Sequence, residues 1–421
     1  MAQRAKRRRL DSRYEMTDTG KNNGKIFPNH PLVPATKSDK DNWNGFCEIE
    51  SEPALFNVML REFGVKGVKV QEVVSLDEEM LAFLHKPVYG LIFLFRWRED
   101  DPDKQEASCP EGLWFANQTV NNACASVALL NIVNNIEGID LGENLRHFKD
   151  FTMPFTPALR GDAINNFEFV KRIHNSFARK MDMLNSDLQL KNEATSKRSR
   201  SAKKSEDYSD TEAGFHFIAF VPAMGRVWKF DGLERQPQAL GQCSTDNWLD
   251  LVKPDILARM AEYEEDRIEF SILGLVRDPV PDLIKELALN VKCLRKVNER
   301  LGGIEKVGSD PSLDTTTLEH VILGPDLSFR LTQDDINQAT IPESKLEEYE
   351  TCTLDELAAH RQKLITSQQE IRESITEELQ FHRADDDHAA RRRHDYGPAV
   401  QLWVRMLARK NIIEDLIGDL L

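Results

Sequence analysis

The sequence predicts an α/β or α+β domain with a helical extension behind it, and three observations carry that expectation. Val88 to Trp97 (VYGLIFLFRW) is a near-continuous apolar run bounded by charges, as a strand buried on both faces requires. Ala123 to Val133 is almost wholly apolar and too long for an ordinary strand, so it reads as a buried central helix. Phe215 to Val221, Val227 to Asp231 and Glu269 to Val276 are three further strand-like runs. Helices and strands therefore mix within one domain spanning about 42–279.

The remaining elements follow in order. Residues 1–41 are polar, carry Lys6, Arg7, Arg8 and Arg9 together, and are expected to be a disordered basic arm. Such a basic run also suits nuclear import, which with the rest of the chain gives an expected location in cytoplasm and nucleus. Glu52 to Gly64 has helical spacing, with Leu55, Val58, Met59 and Phe63 on one face, and Val65 to Val74 is Val-rich and strand-like. Residues 181–213 hold a basic, Ser-rich block (Lys197, Arg198, Arg200, Lys203, Lys204) and then an acidic one, so a long exposed loop is expected there. LIKELALNVKCLRKVNERL is an amphipathic helix ending at Gly302-Gly303, and 280–343 reads as that helix plus a linker. Thr353 and Glu356 have capping-box spacing and open a second helix, and Ala399 to Leu420 is a third amphipathic block. Residues 344–421 are thus expected to be a helical domain that docks on the core or on a partner.

Composition narrows the function classes. There are 55 Lys+Arg against 70 Asp+Glu, a net charge of −15, which argues against a nucleic-acid coater. No run of about 18 apolar residues occurs, so no membrane partner is expected. The six Cys (47, 109, 124, 243, 293, 352) are sparse and none is spaced Cys-x-x-Cys. No disulfide scaffold, structural metal or cofactor is therefore expected, and the thiols are free in a reducing compartment.

One thiol is placed for chemistry. Gln118-Thr-Val-Asn-Asn-Ala-Cys124 leads directly into the buried helix. A Cys at a helix start meets the positive end of the helix dipole and unpaired amides, which favour a thiolate. Its own N–H and the Gln118 amide are candidate donors to a developing oxyanion. His216 opens one strand, and the sequence Pro222-Ala-Met-Gly225 reads as a four-residue hairpin loop. That loop places His216 directly across from Asp231, where the carboxylate orients the ring toward the thiol.

At these residues the sequence resembles the ubiquitin carboxyl-terminal hydrolases, papain-like cysteine proteases that remove groups from the C-terminus of ubiquitin. The resemblance covers about 43–279, in the blocks IESEPALFNVMLREFGVKGVKVQEVVSLDEE, GLIFLFRW, NQTVNNACASVALLNIVNN, MPFTPALRG, IHNSFAR, FHFIAFVPAMGRVWKFDGL and EFSILGLVRD. It implies Cys124 as nucleophile, His216 as general base and proton donor, Asp231 as its orienting partner and Gln118 as the oxyanion-hole side chain. It also implies a knotted fold with a crossover loop over the site, placed at 181–213.

RRRHDYGPAVQLWVRMLARK resembles the extension of the longer, proteasome-associated members, with the motif at Arg391 to Tyr396. The partners this implies are ubiquitin, its conjugates and a ubiquitin-receptor subunit of the proteasome. Three alternatives remain: a histone-directed nuclear deubiquitinase, for which the 197–204 block leaves room, a ubiquitin-binding scaffold with minor catalysis, and a papain-like peptidase with no ubiquitin preference.

Overall fold

A computed structural model describes residues 33–97, 100–200, 214–244, 247–261, 270–305, 321–410 and 412. The helices of the first part are α1 (Lys37–Asp41), α2 (Pro53–Phe63), α3 (Glu78–Leu81), α4 (Cys124–Val133), α5 (Gly142–Thr152), α6 (Pro157–Asn165), α7 (Glu168–Asn175), α8 (Lys180–Arg200) and α9 (Trp248–Met260). The strands are β1 (Val68–Glu72), β2 (Val88–Arg96), β3 (Phe215–Ala223), β4 (Arg226–Phe230), β5 (Gln238–Gln242) and β6 (Phe270–Arg277). They form a six-stranded sheet in the order β1-β6-β2-β3-β4-β5, and every neighbouring pair is antiparallel. The class is α+β.

β2 lies between β6 and β3 and is covered on both faces, which explains its unbroken apolar run. Ile92 packs into a core with Phe217, Ala219 and α4, while Leu91, Phe93 and Phe95 pack with Trp248, Val252 and Ile256 of α9. Helix α4 is buried from Ala125 to Val133, so it is apolar all round. It seats on the sheet because residue 90 is glycine. A Cβ there would meet Ile132 Cγ2 at 2.7 Å and the Phe220 carbonyl oxygen at 3.0 Å.

The hairpin register differs from the sequence expectation. Pro222 pairs with Val227 and Ala223 with Arg226, so the turn is only Met224-Gly225. Both turn residues are left-handed, with φ of 53° and 72°, as a two-residue hairpin of this twist requires. The register is shifted by two residues from the expected one, so His216 and Asp231 are diagonal neighbours rather than direct partners. An even shift keeps side chains on the same face, which is why the two still meet.

Three other expectations change. The arm expected to be disordered through residue 41 contains α1, whose N-cap Thr36 and Asp39 form a capping box; residues 1–32 lie outside the described part. The segment expected to be a loop from 181 is helix α8 through Arg200, with 201–213 and their acidic run outside the described residues. Helix α10 (Val280–Glu305) runs through Gly302-Gly303 instead of stopping there, and the expected linker contains α11 (Gln333–Gln338) and then α12 from its end (Glu343–Thr351), with 306–320 not described.

Helix α13 (Leu354–Arg393) is a single run of 40 residues. Its start is the expected capping box: Thr353 Oγ1 accepts from Glu356 N, and Thr353 N donates to Glu356 Oε2 at 2.8 Å. Leu287, Ala288 and Val291 of α10 pack with Ile371, Ile375 and Leu379 of α13. Lys69 of β1 donates to Glu378, and Arg61 of α2 pairs with Asp385 and Asp386. Residues 35–396 thus make one compact unit. Helix α14 (Gly397–Arg409) belongs to a second, and is amphipathic with Val400, Leu402, Trp403 and Met406 exposed. No described helix is long and apolar enough to cross a membrane.

Candidate active site

Cys124 is the first residue of α4. Its N-cap, Ala123, has no side chain to occupy the free amides of the first turn, so those N–H groups and the dipole face the site uncapped. Asn122 sits in the left-handed region at φ 62°, a conformation asparagine tolerates better than most residues. Its Nδ2 donates to Ser186 Oγ of α8 at 3.2 Å, which fixes the turn that presents the thiol.

Gln118 is half-buried, and its Oε1 has no hydrogen-bond partner among the described residues. Its backbone N–H donates to the Gly232 carbonyl at 2.8 Å. A side chain on Gly232 would crowd Gln118 N and Cβ at 3.1 Å each and Val127 Cγ1 at 3.2 Å. The neighbouring Asn117 donates through Nδ2 to the Glu234 carbonyl at 2.6 Å. The strand-like segment carrying Gln118 is therefore laced to the residues just after Asp231.

His216 is 4% exposed and Asp231 likewise, and His216 Nε2 lies 2.7 Å from Asp231 Oδ1. The same Oδ1 accepts from Leu233 N at 2.9 Å, which orients the carboxylate. Cys124 neighbours the same ring. Burial pulls the imidazole toward its neutral form. The hydrogen bonds and charges of Asp231 and Cys124 outweigh it, and the ring is pushed up to about 9.

The structure thus brings Cys124 beside the hydrogen-bonded pair of His216 and Asp231, with Gln118 joined to that pair through Gly232. Cys124 opens into a cleft of about 340 Å³. Ile49, Leu94, Phe215 and Phe217 give it apolar walls, and Glu48, Glu50, Asp182 and Arg392 give it a charged rim.

Sequence reasoning missed the supports. Gly232 was legible only as an Asp-Gly turn. His174 is fully buried, with Nδ1 2.8 Å from Ser126 Oγ in the first turn of α4 and Nε2 2.7 Å from the Cys47 carbonyl. Burial, only partly opposed by the Cys47 hydrogen bond, pushes its ring down to about 4, so it is neutral and braces α4 against the 46–51 segment. Nothing local in the sequence marks a histidine for that task.

The chain matches the family described as ubiquitin carboxyl-terminal hydrolase, family 1, over residues 46–261. It is 32% identical over 383 residues to ubiquitin carboxyl-terminal hydrolase isozyme L5 of Dictyostelium discoideum, covering 89% of this chain and 94% of that protein. It is 35% identical to ubiquitin carboxyl-terminal hydrolase ubh-4 of Caenorhabditis elegans, covering 57% of this chain and 68% of that one. The crystal structure of Trichinella spiralis UCH37 bound to ubiquitin vinyl methyl ester is similar at 31% identity and a TM-score of 0.44, over 57% of this chain and 86% of that one.

Proposed function

The chain belongs to ubiquitin carboxyl-terminal hydrolase family 1, and from that membership we propose that Cys124 is the nucleophile of a thiol-dependent deubiquitinase, with His216, Asp231 and Gln118 in support. The observation that carries this reading is the buried His216–Asp231 pair at 2.7 Å, set beside Cys124 at the head of α4.

The proton on Cys124 Sγ moves to His216, and the imidazolium is stabilised by Asp231. The sulfur attacks the carbonyl carbon of ubiquitin's C-terminal glycine. The oxyanion that forms is met by the Cys124 N–H and the Gln118 side-chain amide, each worth about 3 kcal/mol in comparable sites. Collapse expels the amine, which takes the proton from His216, and leaves a thioester on Sγ. Water, deprotonated by His216, then hydrolyses the thioester and restores the thiol.

The reaction is tested with ubiquitin carrying a fluorogenic C-terminal amide. Cys124→Ala is expected to abolish turnover while ubiquitin binding persists, and full activity in that variant removes Cys124 from the reaction.

We further place the enzyme in proteasomal ubiquitin processing, through the C-terminal helices. The exposed apolar side chains of α14 support this. The full chain is expected to co-sediment with purified proteasomes and a chain ending at Tyr396 is not; equal co-sedimentation assigns the contact elsewhere.

A further inference from the structure

The cleft that holds Cys124 is also lined by a residue from the far end of the chain. Arg392, in the last turn of α13, is 9% exposed and reaches the cleft beside Glu50 and Asp182. Its Nε lies 2.8 Å from both Glu50 oxygens. Its Nη1 donates to Asp182 Oδ2 at 2.9 Å and to the Phe177 carbonyl at 2.8 Å, and Nη2 reaches the Glu48 carbonyl at 3.5 Å. The Arg392 carbonyl in turn accepts from Arg179 Nε at 3.2 Å.

These partners belong to different walls. Glu48 and Glu50 lie on the segment before α2, which with Ile49 and Ser51 forms one side of the cleft. Asp182 lies in the first turn of α8, which supplies Asn185, Ser186 and Gln189 to the other. A guanidinium is a planar fork with five donors, suited to holding two carboxylates and a carbonyl at fixed separations. The neighbours reinforce the grip. Arg393 pairs with Glu62 and stacks over Phe177 with its guanidinium 4.6 Å from the ring centroid, and Asp395 accepts from Lys180 N at 3.2 Å.

We propose that Arg392 is a positioning residue for the deubiquitinating reaction: it fixes the spacing of the Glu48–Ser51 and α8 walls, and so sets how tightly the cleft receives the substrate's C-terminal tail. This rests on the reading of the Cys124 cleft as the substrate cleft. The carboxylates would otherwise repel each other across the gap, and the walls would separate. Arg392 needs no contact with the substrate to act in this way, and its effect falls mainly on seating the tail.

The test is steady-state kinetics of the full chain on ubiquitin with a fluorogenic C-terminal amide, alongside thermal unfolding. Arg392→Ala is expected to raise KM by about tenfold and leave kcat within about twofold. Arg392→Lys keeps the charge but loses the fork, and is expected to raise KM by about threefold. Glu50→Gln is expected to raise KM in the wild-type background and to add little to Arg392→Lys, because the clamp is then already broken. If Arg392→Ala does not fold, Arg392→Lys and Asp182→Asn carry the same test.

An unchanged KM with a lowered Tm overturns the proposal and leaves Arg392 a purely structural residue. Fully additive effects of Glu50→Gln and Arg392→Lys overturn it as well. Failure of the underlying reading looks different: a ubiquitin C-terminal electrophile would not label Cys124 in the wild-type chain, whatever the KM of the Arg392 variants.

Discussion

The backbone N–H of Gln118 donates to the carbonyl of Gly232 at 2.8 Å, so the residue that follows Asp231 also carries the segment of the proposed oxyanion-hole amide. The group that orients the imidazole and the group that meets the oxyanion are therefore set by one short stretch of chain. Gly232→Ala would push on Gln118 N and Cβ, both 3.1 Å from the new Cβ. A displacement of a few tenths of an ångström is expected to lower kcat about tenfold with little change in KM, because the misplaced donor acts only on the transition state. Single-turnover rates on the fluorogenic ubiquitin amide check this, and a wild-type kcat would show that Gln118 is positioned independently.

Asp231→Asn is expected to move the alkaline limb of kcat/KM to lower pH. His216 is buried, which disfavours its charged form, and it reaches about 9 only because Asp231 and Cys124 outweigh burial. Removing the carboxylate leaves burial less opposed, so the imidazolium is lost earlier as pH rises. The linked stability has the same sign. A raised histidine contributes fully below its ordinary value of 6.5 and loses that contribution as pH climbs to about 9. Urea midpoints from pH 6 to 10 should fall in the wild type and fall less in Asp231→Asn.

His174 makes the opposite prediction on the acid side. Its ring is held at about 4, below the ordinary 6.5, so between those values the unfolded chain binds a proton the folded chain refuses. Stability is full above 6.5 and falls as pH drops toward 4, by about 3 kcal/mol in total. His174→Gln is expected to be less stable at pH 7 but to have a flatter acid limb, as read by urea unfolding between pH 7 and 4.

Gly90→Ala should lift α4 from the sheet, since the added methyl meets Ile132 Cγ2 at 2.7 Å and the Phe220 carbonyl at 3.0 Å. Overpacking of this kind costs about 1–3 kcal/mol. Urea unfolding at pH 7 measures it, and a change under about 0.5 kcal/mol would mean that Ile132 swings aside freely.

What the sequence revealed and what it concealed divide along physical lines. Cys124, His216, Asp231 and Gln118 stand out in the sequence as candidates because each sits at a marked local feature: a helix start, a strand start, a strand end, or a fixed offset from the thiol. The hairpin register was misread because Met224, an ordinary L-residue, adopts φ of 53° in the tight turn. Glycine or asparagine usually announces that geometry. Helix α8 looks like a loop in the sequence because its second half is Ser- and Lys-rich, with no apolar period to reveal a helix. The Arg392 clamp was invisible because Glu50 lies 342 residues away in the chain, and no local pattern encodes such a pair.

Helix α13 has one more consequence. It is an unbroken rod whose middle is bolted to α10 by Ile371, Ile375 and Leu379 and whose last turn carries Arg392. Each residue of an α-helix advances about 1.5 Å and turns about 100°. Inserting or deleting a single residue between Leu379 and Arg392 would swing the guanidinium to a different side of the rod altogether. The number of residues in that stretch is thus a gauge fixed by the mouth it serves, even where the residues themselves are free to vary.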